Sequence, residues 1–345
     1  MGKIKRILPL LLAMLLIVPL AACGSGADTM PERQFFAMNT YMVIRAEGEN
    51  AETAIAAAEE TVYAVETELE VRVIAPTGTV SRLNAANGAA VSASPELIDL
   101  LKTSQAANAE TNGAFDITLY PLSKLWDFTG TGYIPTAEEL SEALKLTGAE
   151  KLVIDEAAKT VRLTDGAQID LGAIAKGYVA DRIAADMKAA GIARALLNLG
   201  GNVLVIGNRA DGEAWRVAVA DPKNTENVVG VLAVTDKAVV TSGTYERYFM
   251  DGAMRYHHLL DPQTGKPART GLESVTIVCD SAERADILST ALFVMGEEKA
   301  LDFWKQDGGC EMILIREDKT MVVTAPLRAQ FEETAGTGYK IEVVE

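Results

Sequence analysis

Short β-type runs at 151–154, 161–163, 195–199, 203–206, 215–219, 231–234, 238–241, 274–279 and 311–315 set the limits of the fold. Many follow one another across short turns. Helical periodicity is concentrated elsewhere. Ala51, Ala54, Ile55, Ala58, Val62, Val65 and Leu69 form an apolar stripe over 50–70, with Glu52, Glu59, Glu60, Glu66 and Glu68 opposite, as on a solvated face. Ser94-Pro95-Glu96 is a helix-entry signal for 95–110. Further helices are expected at 137–146, 173–190, 283–295 and 297–305. Strands and helices that segregate in this way predict α+β rather than a regular βαβ alternation. The expected form is one large domain over 35–345, with mixed or antiparallel sheets and packed helices. No internal repeat or long Pro/Ser-rich linker divides it.

The first residues belong to a different class. Lys3, Lys5 and Arg6 precede an apolar run from Ile7 to Leu20, interrupted by Pro9 and Pro19. A membrane span needs roughly 20 apolar residues, so this run fits the core of an export signal better. Leu20-Ala21-Ala22-Cys23 resembles a bacterial lipobox. The expectation is a signal peptide at 1–22, a lipid on Cys23, and a flexible tether over 23–34, rich in Gly, Ser and Ala. The protein would then be exported and lipid-anchored, facing outward from the cell membrane. Cys279 and Cys310 lie in apolar, strand-like runs and read as buried thiols. A disulfide is open to an exported protein, but spacing does not reveal one.

Charge narrows the ligands. The 345 residues carry 32 Lys and Arg against 48 Asp and Glu, a net −16. No basic excess exists to replace phosphate counterions, which excludes broad nucleic-acid binding and disfavours an electrostatic hold on anionic lipid. An anionic small molecule must be held locally, by a helix N-terminus, a lysine or a metal. No GxGxxG follows a strand and no GxxxxGK[ST] occurs, so nothing indicates Rossmann or P-loop nucleotide binding.

Polar residues gather in five segments. Asp170-Leu171-Gly172-Ala173-Ile174-Ala175-Lys176-Gly177-Tyr178 opens a helix, and its free N–H groups with Lys176 suit a phosphate. Asp170 as an ordinary cap and Lys176 as a solvated lysine is the plainer account. Leu197–Asn202 carries a Gly pair between strands, which by itself is a tight hairpin. Thr241–Tyr248 leads to Tyr256-His257-His258-Leu259-Leu260-Asp261-Pro262, which holds the only two histidines. On a strand they would point to opposite faces, so only one of them can serve a given site as a base. Asp286 and Thr290, spaced i and i+4, share one helix face and offer hard oxygens suited to Mg²⁺, or else form a buried polar pair. Asn112–Thr118 reads as a turn entering a strand that carries Asp116. Asn84 and Met38-Asn39-Thr40 add polar groups to the N-terminal half.

Together these stretches resemble the ApbE family, the FAD:protein FMN transferases. The matching pieces are MNT at 38–40, SRLN at 81–84, NGAFDIT at 112–118, DLGAIAKGY at 170–178, NLGGN at 198–202, TSGTYERYF at 241–249, HHLLDPQTGKP at 257–267 and ADILSTALF at 285–293. The resemblance implies an enzyme that cleaves FAD, attaches FMN by a phosphoester to a Ser or Thr of an exported or membrane flavoprotein, and releases AMP. Asp286, Thr290 and the Ala173 carbonyl would hold Mg²⁺, and Lys176 would face the phosphates. His258 would accept the hydroxyl proton, with His257 the second choice. Ala114, Phe115, Asp116, Asp170 and Leu260 would line the FAD site, with Met38 near the flavin. Many relatives have an aromatic residue where Ile74 stands, seven positions before the serine of SRLN. The alternatives are a Mg²⁺-dependent FAD pyrophosphatase giving FMN and AMP, and a non-catalytic flavin-binding lipoprotein.

Overall fold

The computed structural model describes residues 30–71 and 77–345. The signal peptide, Cys23 and Ile74 lie outside these residues. The centre is a nine-stranded sheet. Along it lie Glu32–Ala37, Thr40–Glu47, Arg194–Leu199, Asn202–Ile206, Ala238–Gly243, Leu272–Cys279, Glu311–Arg316, Thr320–Thr324 and Lys340–Val344. Neighbours pair antiparallel except the last two, which are parallel. The sheet is thus mixed, as expected.

Period-two alternation sends side chains to two cores. Leu204, Ile206, Ala238, Val240, Val275, Ile277, Met312 and Leu314 pack under the helices Ala51–Leu69, Ala175–Ala189 and Ala282–Met295. Val205, Val239, Val278, Ile313 and Ile315 face the other way, against Trp215, Val217, Leu232 and Phe331 of a three-stranded sheet. Leu272–Cys279 is buried along its whole length, with Glu273, Ser274 and Thr276 buried among its apolar residues. A third core joins the helices Thr79–Ala85 and Pro95–Glu110 to a small sheet. A fourth joins Tyr120–Trp126 and Ala137–Leu144 to the hairpin of Tyr248–Asp251 and Met254–His257 through Phe249 and Tyr256.

Several expectations change. Glu32–Gln34, assigned to the tether, begin the first strand by pairing with Arg45, Ile44 and Val43. Asp116 lies in a loop, not a strand, and the segment touches the neighbouring chain only by an isolated bridge between Leu119 and Gln168. Cys279 and Cys310 are buried but not free. They form a disulfide, with Cα atoms 4.7 Å apart. Val278 pairs with Glu311, so the cysteines are the next cross-strand pair, a register that residue spacing alone cannot reveal. Among the described residues no helix is long and apolar enough to cross a membrane.

Candidate active site

Register brings distant turns together. Met42 pairs with Leu199, Leu199 with Asn202, and Val203 with Val239. The turns at 38–39 and 200–201 and the end of the strand Ala238–Gly243 therefore share one end of the sheet. Both turns are two-residue hairpins with positive φ at each position: 49° and 59° at Met38 and Asn39, 67° and 94° at Gly200 and Gly201. Glycine meets that requirement without strain, whereas methionine does not. Met38 is held there by its N–H, which donates to Glu66 Oε1 at 2.6 Å.

The helices Ala175–Ala189 and Ala282–Met295 cross where Gly177 meets Ala282. A Cβ on Gly177 would lie 2.2 Å from the Ala282 carbonyl oxygen, so only glycine allows the approach. Each helix sends a carboxylate to the other's first turn. Asp181 accepts from Ala282 N at 2.8 Å, Glu283 N at 3.0 Å and Ser281 Oγ at 2.6 Å. Asp286 Oδ2 accepts from Gly177 N at 3.0 Å. That N–H would otherwise bond to the Ala173 carbonyl four residues back. Among the described residues the Ala173 carbonyl accepts no hydrogen bond.

The result is a cluster of hard oxygens. Asp286 is buried, and its Oδ1 lies 3.7 Å from Lys176 Nζ. Thr290 Oγ1 lies one turn on and 3.2 Å from Ser242 Oγ. No group of three or more His, Cys, Asp or Glu suited to a metal occurs among the described residues, which disfavours a zinc-type site. One carboxylate, one hydroxyl and an orphaned carbonyl are oxygen donors of the kind Mg²⁺ prefers, with remaining positions left to water and phosphate. These residues therefore fit that ion. Because Asp286 occupies the Gly177 N–H, the helix start offers an anion less backbone than its sequence suggests. Lys176 is the main positive group there.

The histidines diverge. His257 is 2% exposed, donates from Nε2 to the Ala268 carbonyl at 3.1 Å, and meets the Phe293 ring edge-on. Burial, with Arg269 nearby, pushes its pKa down to about 4. His258 is half-buried, and its Nδ1, like that of His257, is sealed from water with no hydrogen-bond partner. Burial, then the charges of Arg247, His257 and Lys176, hold its pKa down to about 3. It is thus a neutral ring within electrostatic reach of Lys176. Glu246 shares this neighbourhood. It is reached by solvent, yet the protein crowding around it pushes its carboxyl up to about 7, against the pull of Lys176 and Arg247. Residue patterns gave Glu246, Arg247 and Ser242 no role. The segment 241–248 carried the resemblance through TSGTYERYF, but no single residue in it was given a part.

A second group lies alongside. Asp170 N donates to the Ile117 carbonyl at 2.8 Å, which joins the loop of Ala114 and Asp116 to the approach to the helix. Asn84 clamps the backbone of Ile169 from both sides, at 2.8 and 2.9 Å, which gives SRLN a supporting part. Asp116 Oδ1 accepts from Thr118 N and Oγ1 at 2.7 and 2.6 Å, while burial raises its pKa. Asp170 Oδ1 accepts from Gly172 N. Phe115 is 1% exposed, with its N–H and carbonyl bonded to Thr111 and Asn108. Leu260 is buried against Leu122 and Trp126. Both are core residues, so their side chains shape a site from behind and present no surface to it. Among the described residues no hydrogen bond or ion pair joins Met38 to the Asp286 cluster; its tie is to Glu66.

Residues 38–314 match the ApbE family. An FAD:protein FMN transferase of Klebsiella pneumoniae (strain 342) is 34% identical over 254 residues, covering 73% of this chain and 78% of that protein. One of Treponema pallidum (strain Nichols) is 33% identical over 326 residues, covering 88% and 90%. Among solved structures, the ApbE protein of Thermotoga maritima superposes with a TM-score of 0.81 at 32% identity, over 87% of this chain and 99% of that one. Pseudomonas stutzeri flavinyl transferase ApbE, in its apo form, gives 0.75 at 30% identity, over 85% and 93%.

Proposed function

The chain belongs to the ApbE family, and from that premise we propose that it is a Mg²⁺-dependent FAD:protein FMN transferase. The observation that carries this reading is that Asp286 takes the Gly177 N–H beside Lys176, which leaves the Ala173 carbonyl without that partner, with Thr290 one turn on and the neutral ring of His258 in the field of Lys176. A non-catalytic flavin carrier needs neither a base nor a cation site at the phosphates.

In this reading Asp286, Thr290 and the Ala173 carbonyl hold Mg²⁺. When bound, it offsets charge on the pyrophosphate oxygens. Lys176 holds a phosphate oxygen, and Ala114, Asp116 and Asp170 border the FAD. Phe115 and Leu260 support that border from the core, and Met38 stands at the flavin end. His258 accepts the proton of the incoming Ser or Thr hydroxyl. The hydroxyl oxygen bonds to the phosphorus of the FMN half, the bond from that phosphorus to the bridging oxygen breaks, and AMP departs with that oxygen. Burial first, and then Arg247 and Lys176, oppose a charge on His258 in the free protein. The FAD phosphates offset the two cations, so bound substrate makes the ring a stronger base than it is in the free protein.

The acceptor is an exported or membrane flavoprotein, and the protein is anchored outward by a lipid on Cys23, with residues 1–22 removed. The disulfide between Cys279 and Cys310 supports an oxidising compartment. The test incubates the full chain in detergent with FAD and Mg²⁺, with and without an exported FMN-binding-domain protein. AMP release and the acceptor's intact mass are followed. A mass gain equal to FMN, matched by AMP and lost with EDTA, is expected. AMP and free FMN without a mass gain would replace the transferase with a pyrophosphatase. Bound FAD without AMP would replace it with a carrier.

A further inference from the structure

We propose that Ser242 is a positioning residue for the cation site, acting through a one-way hydroxyl relay that turns the lone pairs of Thr290 toward the ion. The inference rests on the cation reading above and names residues that reading does not use.

The relay's direction follows from its end. Ser289 Oγ lies 3.0 Å from the Asp286 carbonyl oxygen. A carbonyl only accepts, so the single hydroxyl hydrogen of Ser289 is spent there. Ser289 Oγ also lies 2.8 Å from Ser242 Oγ. In that contact Ser289 must accept, and the hydrogen of Ser242 is spent. Ser242 Oγ lies 3.2 Å from Thr290 Oγ1. There Ser242 must accept and Thr290 must donate. The one hydrogen of Thr290 therefore points toward the strand, and its lone pairs remain for a cation on the face it shares with Asp286. Ser242 and Ser289 are buried, at 8% and 0% exposure, so water does not readily substitute for either hydroxyl.

The placement comes from packing. Ser242 lies on the strand Ala238–Gly243, opposite Val275 in the sheet, while the helix Ala282–Met295 packs across both strands. Without Ser242, a helical threonine turns its hydrogen back toward the residue four before it, here Asp286. Without the fixed acceptor, the Thr290 hydrogen is free to turn away from the strand, and its lone pairs are no longer held toward the ion.

The test counts Mn²⁺ bound to the full chain by EPR, against FAD alone as the blank. The parent carries His258→Ala so that bound FAD persists, and titrations are run with and without FAD. Ser242→Ala should weaken Mn²⁺ about 10-fold, the lower end of the effect of an outer-shell partner, while Ser242→Thr, which keeps the hydroxyl, should stay within about 2-fold. FAD affinity without metal should not change. Ser289 acts only through Ser242, so Ser289→Ala added to Ser242→Ala should cost no further affinity, whereas independent structural roles would add. If Ser242→Ala binds Mn²⁺ like the parent while Asp286→Asn does not, the relay is wrong and the cation site stands. Additive losses from the two serines, or failure of Ser242→Thr to rescue, would also overturn the relay. If Asp286→Asn binds Mn²⁺ like the parent, or the parent binds none, the cation site itself is wrong.

Discussion

The starts of the helices Ala175–Ala189 and Ala282–Met295 exchange carboxylates across one crossing, yet they end up in opposite states. The second start is closed. Asp181 and Ser281 take up its first three N–H groups. The first start is open. Asp286 takes one N–H, and that contact strands the Ala173 carbonyl and draws in Lys176. A carboxylate at a helix start is thus a cap in one place and the seed of a site in the other. The difference lies in whether the remaining polar groups are satisfied inside the protein or left for a ligand.

The largest effect should come from breaking the open start. Asp286→Asn removes the one carboxylate, and the AMP yield should fall roughly 10³-fold, the scale of several kcal/mol of lost charge stabilisation. Turnover near the wild-type rate at ordinary Mg²⁺ would refute the assignment. The histidines divide by burial instead, one held in the core against Phe293 and one half-buried beside Lys176. His258→Ala should retain FAD but slow transfer by about 10²–10⁴-fold, the usual contribution of a general base. A dead His257→Ala beside an active His258→Ala would reverse their roles.

Closed groups should instead register in stability. The His257 pKa is 6.5 in the unfolded reference and about 4 in the fold. Above the higher value neither state carries the proton. Between the two only the unfolded chain binds it, so stability falls as pH drops through that window, by about 3 kcal/mol at its lower end. Denaturant midpoints at several pH values should show a shallower acid slope for His257→Gln than for wild type.

Gly177→Ala tests the crossing itself. Alanine gains about 1 kcal/mol of helix propensity, but its Cβ meets a backbone carbonyl at 2.2 Å. Overpacking of about 3 kcal/mol should win. A lower melting temperature is expected, with weakened Mn²⁺ binding because both starts shift. A more stable variant would mean that the helices separate cheaply. The smallest effect sharpens the comparison most. Asp181→Asn should cost about 1 kcal/mol, the value of a cap, and leave the Mg²⁺ requirement of AMP release unchanged. A changed requirement would mean that the closed start also serves the site.

Much of the molecule was legible along the chain, for local reasons. The helices Ala51–Leu69, Pro95–Glu110 and Ala282–Met295 lie close to where apolar spacing and capping residues predicted them. The i, i+4 spacing that puts Asp286 and Thr290 on one face belongs to the helix itself. The strand Glu32–Ala37 was missed because it gains its structure from Thr40–Glu47 rather than from its own pattern. Asp116 was misplaced on a strand because apolar Phe115 and Ile117 flank it. They are buried in a core beneath a loop.

What the chain determined by itself was the longer helices and several central strands, the hard oxygens and lysine at helix positions, and the resemblance those motifs carry. Only the tertiary structure decided how the groups pair. Register made Cys279 and Cys310 neighbours. The crossing at Gly177 let Asp286 take a hydrogen bond from a residue 109 positions away. Sheet packing put Ser242 against Thr290, and the Phe293 ring fixed which histidine is core. Local spacing reports which groups share a face. Which donor meets which acceptor depends on backbones that approach across long stretches of chain, and one vacated carbonyl at such an approach is all that distinguishes a site from a cap.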